Sequence, residues 1–192
     1  ENPEWVGRDR FFLDPGHMAP MLYSQLTLIG KFTLDELAQL RQWGSPTTGH
    51  PEFEIARGIE NTSGPLGQGH VFAVGAAIAA KFLAAHTGNP TFDKETIYAY
   101  ISDGGIQEEI SQGGARIAST LGLDNLIMFY DSNDIQLSTE TKEVMNEDTA
   151  AKYRALGWEV IEICGNDVDQ IRQALDAAKK VEGKPTLIIG KC

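Results

Sequence analysis

The sequence predicts an α/β fold, a doubly wound parallel sheet flanked by helices, and three observations carry that expectation. Two short runs rich in β-branched and aromatic residues, Ile97–Ile101 and Leu126–Tyr130, have the continuous apolar character of strands buried on both faces. Between them, Ile106–Leu121 places Ile106, Ile110, Ile117, Ala118 and Leu121 at helical spacing. Beyond them, strand and helix patterns keep alternating, as in a chain that builds a parallel sheet through crossovers. An acidic residue stands directly at the carboxyl end of each run: Asp103 after the first, Asp131 after the second. Ligands of open parallel sheets bind outside the carboxyl ends of the strands. Asp103, Gly104 and the Asp131–Asn133 turn are therefore expected side by side at such an edge.

The other elements follow in order. Glu1–Arg10 is polar and contains proline, so it reads as irregular; Phe11–Leu13 is a brief strand ended by Asp14-Pro15-Gly16. His17 opens a helix through Met18, Met21, Leu22 and Leu26. Thr33–Arg41 predicts a second short helix, with Thr33 as N-cap, Glu36 completing a capping box, and Leu34, Leu37 and Leu40 on one face. Ser45–Gly64 is long, polar and without regular pattern; such loops are functional or disordered. It carries His50 between Gly49 and Pro51. Pro65–Gly69 then opens the most apolar helix, Val71 to about Ala85, whose small residues suit close packing on a sheet or another subunit. Gly64, Gly67 and Gly69 allow close backbone approach to a ligand. Later come a helix over Asn146–Leu156, a strand over Trp158–Cys164, an amphipathic helix over Asp167–Val181 with Ile171, Leu175 and Ala178 inward, and a last strand at Pro185–Ile189.

The chemistry that suits the predicted edge is a divalent metal holding a diphosphate. A hard cation takes oxygen ligands: a carboxylate from Asp103, the amide oxygen of Asn133, and a backbone carbonyl from Ile135. Gly104 and Gly105 let the backbone approach a phosphate, and a helix beginning near Ile106 aims free N–H groups at it. The same segments also read as ordinary strand-to-helix turns. His17 reads equally as a helix-start group at the surface, and His50 as part of a solvated loop.

Composition narrows the classes. With 192 residues the chain forms one domain able to bury a full core. A net charge of −11 with no basic stripe argues against nucleic acid as partner. The two cysteines, Cys164 and Cys192, make no metal spacing or disulfide framework and suit a reducing cytoplasm. No secretory pattern and no apolar run of membrane-spanning length are read, so no membrane is expected. The chain opens on Glu1 and stops at Ile-Ile-Gly-Lys-Cys just past a strand, which reads as a fragment.

In sequence order, Arg8–Phe11 (RDRF), Pro15–His17 (PGH), Gly44–Glu54 (GSPTTGHPEFE), Gly58–Gly69 (GIENTSGPLGQG), Asp103–Gly104 (DG), Tyr130–Ile135 (YDSNDI), Tyr153–Ile161 (YRALGWEVI), Gly165–Asp167 (GND) and Lys184–Ile188 (KPTLI) span nearly the whole chain. Together these resemble the transketolase family, in its N-terminal thiamine diphosphate-binding domain. The resemblance implies a thiamine diphosphate-binding fold over residues 1–192, truncated at both ends. It implies thiamine diphosphate with Mg²⁺ (or Ca²⁺) as cofactors, the metal held by Asp103, Asn133 and the Ile135 carbonyl. Gly104 would contact the diphosphate, and Gly64 and Leu66 would border the aminopyrimidine. His17 and His50 would face the cofactor and the donor sugar's hydroxyls as catalytic groups. The implied reaction is reversible transfer of a two-carbon ketol unit between sugar phosphates in the pentose phosphate pathway. The implied partners are a pyrimidine-binding domain or partner chain and a second copy in a homodimer, without which this chain is expected to be inactive. Other thiamine diphosphate enzymes, such as a deoxyxylulose-phosphate synthase or a 2-oxo acid dehydrogenase component, and a non-catalytic relative, are the alternatives; His50 in GHPE argues for the sugar.

The chain also departs from the family pattern. Ser102 stands where the family has the first glycine of GDG, Glu108-Glu109 replaces a glutamate–glycine pair, and Gly113 replaces a second glutamate of an acidic network across the dimer interface. Those departures bear on cofactor activation and subunit communication rather than on the fold.

Overall fold

A computed structural model describes residues 2–137 and 139–192. In chain order the elements are β1 (Arg10–Leu13), α1 (Ala19–Leu28), α2 (Leu34–Ala38), α3 (Gln68–Thr87), α4 (Pro90–Asp93), β2 (Ile97–Ser102), α5 (Asp103–Gln107) and α6 (Glu109–Thr120). They continue with β3 (Leu126–Ser132), β4 (Ile135–Gln136), β5 (Thr139–Glu140), α7 (Thr149–Ala155), β6 (Glu159–Cys164), α8 (Val168–Ala178) and β7 (Thr186–Lys191). Five strands form one sheet in the order β1-β2-β3-β7-β6, and every pairing in it is parallel. The register sets Ser102 beside Asp131 and Leu13 beside Tyr100, so the carboxyl ends of β1, β2 and β3 form one edge. A small β4–β5 hairpin follows that edge.

Helices cover both faces, as an all-parallel sheet requires. On one face Phe12, Ala99, Ile101, Met128 and Leu187 pack under the alanines of α3 and α6 and under Tyr153 and Trp158. On the other, Ala174 and Ala178 of α8 cover Ile127 and Ile188, with Leu175 partly buried beside them. Leu13 anchors a third cluster with Leu22, Tyr23 and Leu26 of α1, Phe32 and Ile59. The doubly wound prediction holds. So does the capping box at α2, where Thr33 and Glu36 bond reciprocally at 2.8 and 3.1 Å.

Four local expectations are corrected. Leu34 is exposed, so only Leu37 and Leu40 turn inward from the α2 segment. The helix read over Ile106–Leu121 is two helices that start at Asp103 and break at Glu108, whose ψ of 134° is extended. Its inward face is also different: Ser111, Gln112, Gly114, Ala115 and Ala118 are buried while Ile110, Ile117 and Leu121 lie 46–55% exposed. Small residues win the inner face because α6 lies close on α3: a Cβ on Gly114 would stand 3.3 Å from Val71 Cγ2. Finally, α3 with its 20 residues and mean hydropathy of 1.3 is long and apolar enough, by length and composition, to cross a membrane, which the sequence reading missed. Its alanines pack on β1 and β2, while Phe72, Ile78 and Phe82 remain exposed.

The segment Ser45–Gly64 is tied down rather than free. Thr47 is fully buried and its hydroxyl donates to the Glu36 carbonyl at 2.6 Å. Asn61 accepts from the Leu13 N–H at 3.1 Å and donates to the Leu13 carbonyl at 3.0 Å, replacing a missing strand neighbour for β1.

Candidate functional site at the strand carboxyl ends

At the end of β2, Asp103 is 2% exposed and begins α5. Its Oδ1 accepts from the Tyr130 hydroxyl at 2.5 Å, and its Oδ2 accepts from the Asn133 N–H at 3.3 Å. The turn after β3 is held by Asn133 itself, whose Oδ1 accepts from the Ile135 N–H at 3.1 Å while Asp134 takes a left-handed φ of 60°. Burial pushes the Asp103 carboxyl up from its ordinary value, and the charges of Asp134 and Asp131 add to that; the Tyr130 hydroxyl and Asn133 N–H pull it back down. Asp103, Asn133 and Ile135 thus meet at one edge, as expected from the sequence.

This donor set fits a hard divalent cation. Among the described residues no group of three or more His, Cys, Asp or Glu side chains could hold an ion by itself. A cation here would draw on one carboxylate, one amide oxygen and one backbone carbonyl, and the rest from its ligand, which is the coordination habit of Mg²⁺ with phosphates. Both Asp103 oxygens keep a free lone pair beyond the bonds they accept. The surplus of negative charge around Asp103 favours the same occupant.

Gly104 lies under Leu66, whose Cδ1 stands 2.8 Å from where a Cβ would be, so the two turns touch only because position 104 has no side chain. Ser102 serves as N-cap of α5 and accepts from the Gly105 N–H at 3.4 Å. The helix N-terminus at this edge is therefore three residues earlier than the sequence suggested.

His17 and His50 are both exposed. The His50 ring lies against the backbone of Gly16, its Cδ2 only 2.8 Å from a hypothetical Cβ there, and the Gly64 N lies 2.9 Å from the same point. His17, His50 and Gly64 therefore share one corner. The Arg41 guanidinium donates to the His17 carbonyl at 3.2 Å and steadies that corner.

Sequence reasoning missed Asp14. It was read as a strand terminator, yet it is fully buried and accepts from the Gly67 N–H at 3.0 Å and the Gly69 N–H at 2.8 Å. Those two glycine N–H groups, expected to approach a ligand, are occupied by this carboxylate at the N-terminus of α3. A hint was present: an acid directly at a strand end, with a Gly-x-Gly turn elsewhere in the chain. His70, also fully buried, was missed too; neither of its ring nitrogens has a hydrogen-bond partner among the described residues.

Against known proteins, the family described as transketolase, thiamine diphosphate binding domain, matches residues 1–192. A transketolase of Staphylococcus epidermidis is 44% identical over 98% of this chain. Among solved structures, a transketolase from Leishmania mexicana superposes with a TM-score of 0.94 at 40% identity over 99% of this chain. A transketolase of Pichia stipitis in complex with sedoheptulose 7-phosphate gives 0.94 at 39% identity, also over 99% of this chain. The chain spans 29% of the length of each of these three relatives.

Proposed function

Because the chain belongs to the transketolase family, in its thiamine diphosphate-binding domain, we propose that it supplies the metal- and diphosphate-binding half of a site that moves a two-carbon ketol unit from a ketose phosphate to an aldose phosphate. The observation that carries this reading is the contact between Asp103 and the Asn133 turn at adjacent strand ends, with Gly104 bare beside them. Thiamine diphosphate, when bound, supplies the carbanion-stabilising chemistry that carbon–carbon cleavage needs.

This chain's own residues bind and orient. Asp103, Asn133 and the Ile135 carbonyl hold Mg²⁺ or Ca²⁺, and Gly104 receives the diphosphate. Gly64 and Leu66 border the aminopyrimidine. His17 and His50, exposed at one corner, hydrogen-bond the donor's hydroxyls and move protons to and from them. The sedoheptulose 7-phosphate complex of the Pichia stipitis protein supports a sugar phosphate as substrate.

The reading includes a second copy and a pyrimidine-binding domain. The exposed Phe72, Phe82, Ile110, Ile117 and Leu121 on α3 and α6 support an apolar contact of that kind. Two exposed, unpaired cysteines suit a cytoplasmic location, and the pentose phosphate pathway is the corresponding metabolic setting.

The test is a calorimetric titration of the complete protein with thiamine diphosphate, with and without Mg²⁺, beside Asp103→Ala, followed by a transfer assay on a ketose and an aldose phosphate. Metal-dependent binding that the substitution abolishes, with transfer in the wild type, is the expected result. Binding without transfer would leave a non-catalytic relative; no binding would overturn the reading.

A further inference from the structure

We infer that Asp14 is a positioning residue for the cofactor: its carboxylate clasps the Gly64–Gly69 turn to the Asp103–Gly105 turn and so fixes the separation of the two segments that border the aminopyrimidine and the diphosphate. The inference rests on the function proposed above and names a residue outside the ligand set proposed there.

Three contacts meet at this one side chain. Oδ2 accepts from the Gly67 N–H at 3.0 Å; Oδ1 accepts from the Gly69 N–H at 2.8 Å and the His70 N–H at 3.4 Å. On the opposite side, a Cβ on Gly105 would collide with Oδ2, so the carboxylate lies directly on the backbone of the second turn. A Cβ on Gly69 would stand 2.5 Å from the Asp14 Cα, so α3 also approaches β1 without a side chain between them. Asp14 is pinned from behind as well, its N–H donating to the Tyr100 carbonyl at 3.0 Å. Two residues further along the chain is Gly16, against which His50 and Gly64 pack.

The chemistry calls for a carboxylate. The residue is fully buried and, among the described residues, forms no ion pair; burial and the nearby Glu108 push its carboxyl up from its ordinary value, and the backbone N–H groups at a helix start pull it back down. Asparagine is the same size but would turn an NH₂ toward one of the N–H groups, and serine reaches only one of them. Leu66 on Gly104 is the neighbouring contact between the turns, an apolar one that does not fix direction.

A plain helix cap would have the same bonds, so the test must separate positioning from stability. The complete protein is prepared as wild type, Asp14→Asn and Asp14→Ser. Each is measured for apo melting temperature, for thiamine diphosphate Kd at saturating Mg²⁺ well below melting, and for donor-sugar KM at saturating cofactor. Residues that orient ligand-holding groups typically cost about 10- to 100-fold in affinity when removed, so Asp14→Asn is expected to raise the cofactor Kd about tenfold or more. Donor KM should stay within about twofold, since the histidine corner is left in place. Asp14→Ser, keeping one acceptor, should fall between.

A cofactor Kd in Asp14→Asn within about twofold of wild type overturns the inference, whatever the melting temperature does. So does a parallel rise of Kd and donor KM, which marks general loosening, and so does failure of both variants to fold. A wild type that binds no thiamine diphosphate is a different failure: it removes the proposed function first, and is read from the wild-type arm alone.

Discussion

Tyr130 holds Asp103 from the neighbouring strand, its hydroxyl donating to Oδ1 over 2.5 Å with both residues buried. The phenol belongs to β3 and the carboxylate to the first residue after β2, and the parallel register brings them together.

Removing that hydroxyl leaves a buried carboxylate with one donor fewer. Tyr130→Phe is expected to cost roughly 1–3 kcal/mol in chemical denaturation, the range for a buried group that loses its partner. The same substitution should weaken Mg²⁺-dependent thiamine diphosphate binding by about tenfold, as loss of an orienting partner does. Unchanged affinity in the titration would show that Asp103 orients itself.

His70 predicts an acid limb in stability. Burial lowers its pKa from an ordinary 6.5 to about 4. Below about pH 6.5 the unfolded chain takes up a proton that the folded chain refuses until about pH 4. The stabilisation is thus complete above 6.5 and is lost as pH falls toward 4, by roughly 3 kcal/mol from this group. His70→Leu should flatten the loss of unfolding free energy between those two values; an equally steep fall in the variant would assign the limb to other groups.

The glycines of α6 should respond differently to alanine. At Gly113 a Cβ meets nothing, so Gly113→Ala should stabilise the domain by about 0.5–1 kcal/mol through helix propensity alone. At Gly114 the Cβ would stand 3.3 Å from Val71 Cγ2, so Gly114→Ala should gain less or lose. Paired thermal melts check the order.

Asn61 bridges the N–H and carbonyl of Leu13. Asn61→Ala leaves two buried backbone groups unpaired and should cost roughly 2–4 kcal/mol, at about 1–2 kcal/mol each. Limited proteolysis should then cut within residues 45–64 faster than in the wild type.

The order of the five sheet strands, their parallel pairing and the meeting of Asp103 with the Asn133 turn were legible in the sequence; α4, the β4–β5 hairpin and the break between α5 and α6 were not. Buried parallel strands write continuous apolar runs, and an acid at a strand end has few places to go. The face of α6 was not legible, because packing density rather than hydrophobicity decided it. Ala115, Ala118 and Gly114 reach the partner helix closely where Ile110 and Ile117 would hold it off. Asp14 escaped for another reason: its partners Gly67 and Gly69 lie more than fifty residues away and offer only backbone, which leaves no side-chain pattern to pair with it.

The outward apolar residues of α3 and α6 have a colloidal consequence. At low ionic strength a net charge of −11 keeps copies of this chain apart. Salt shortens the reach of that repulsion, to a Debye length of about 3 Å at 1 M, while contact between Phe82, Ile117 and Leu121 and their counterparts is left unscreened. The domain prepared alone should therefore self-associate more as salt rises, and columns run in dilute buffer should show it at its smallest size.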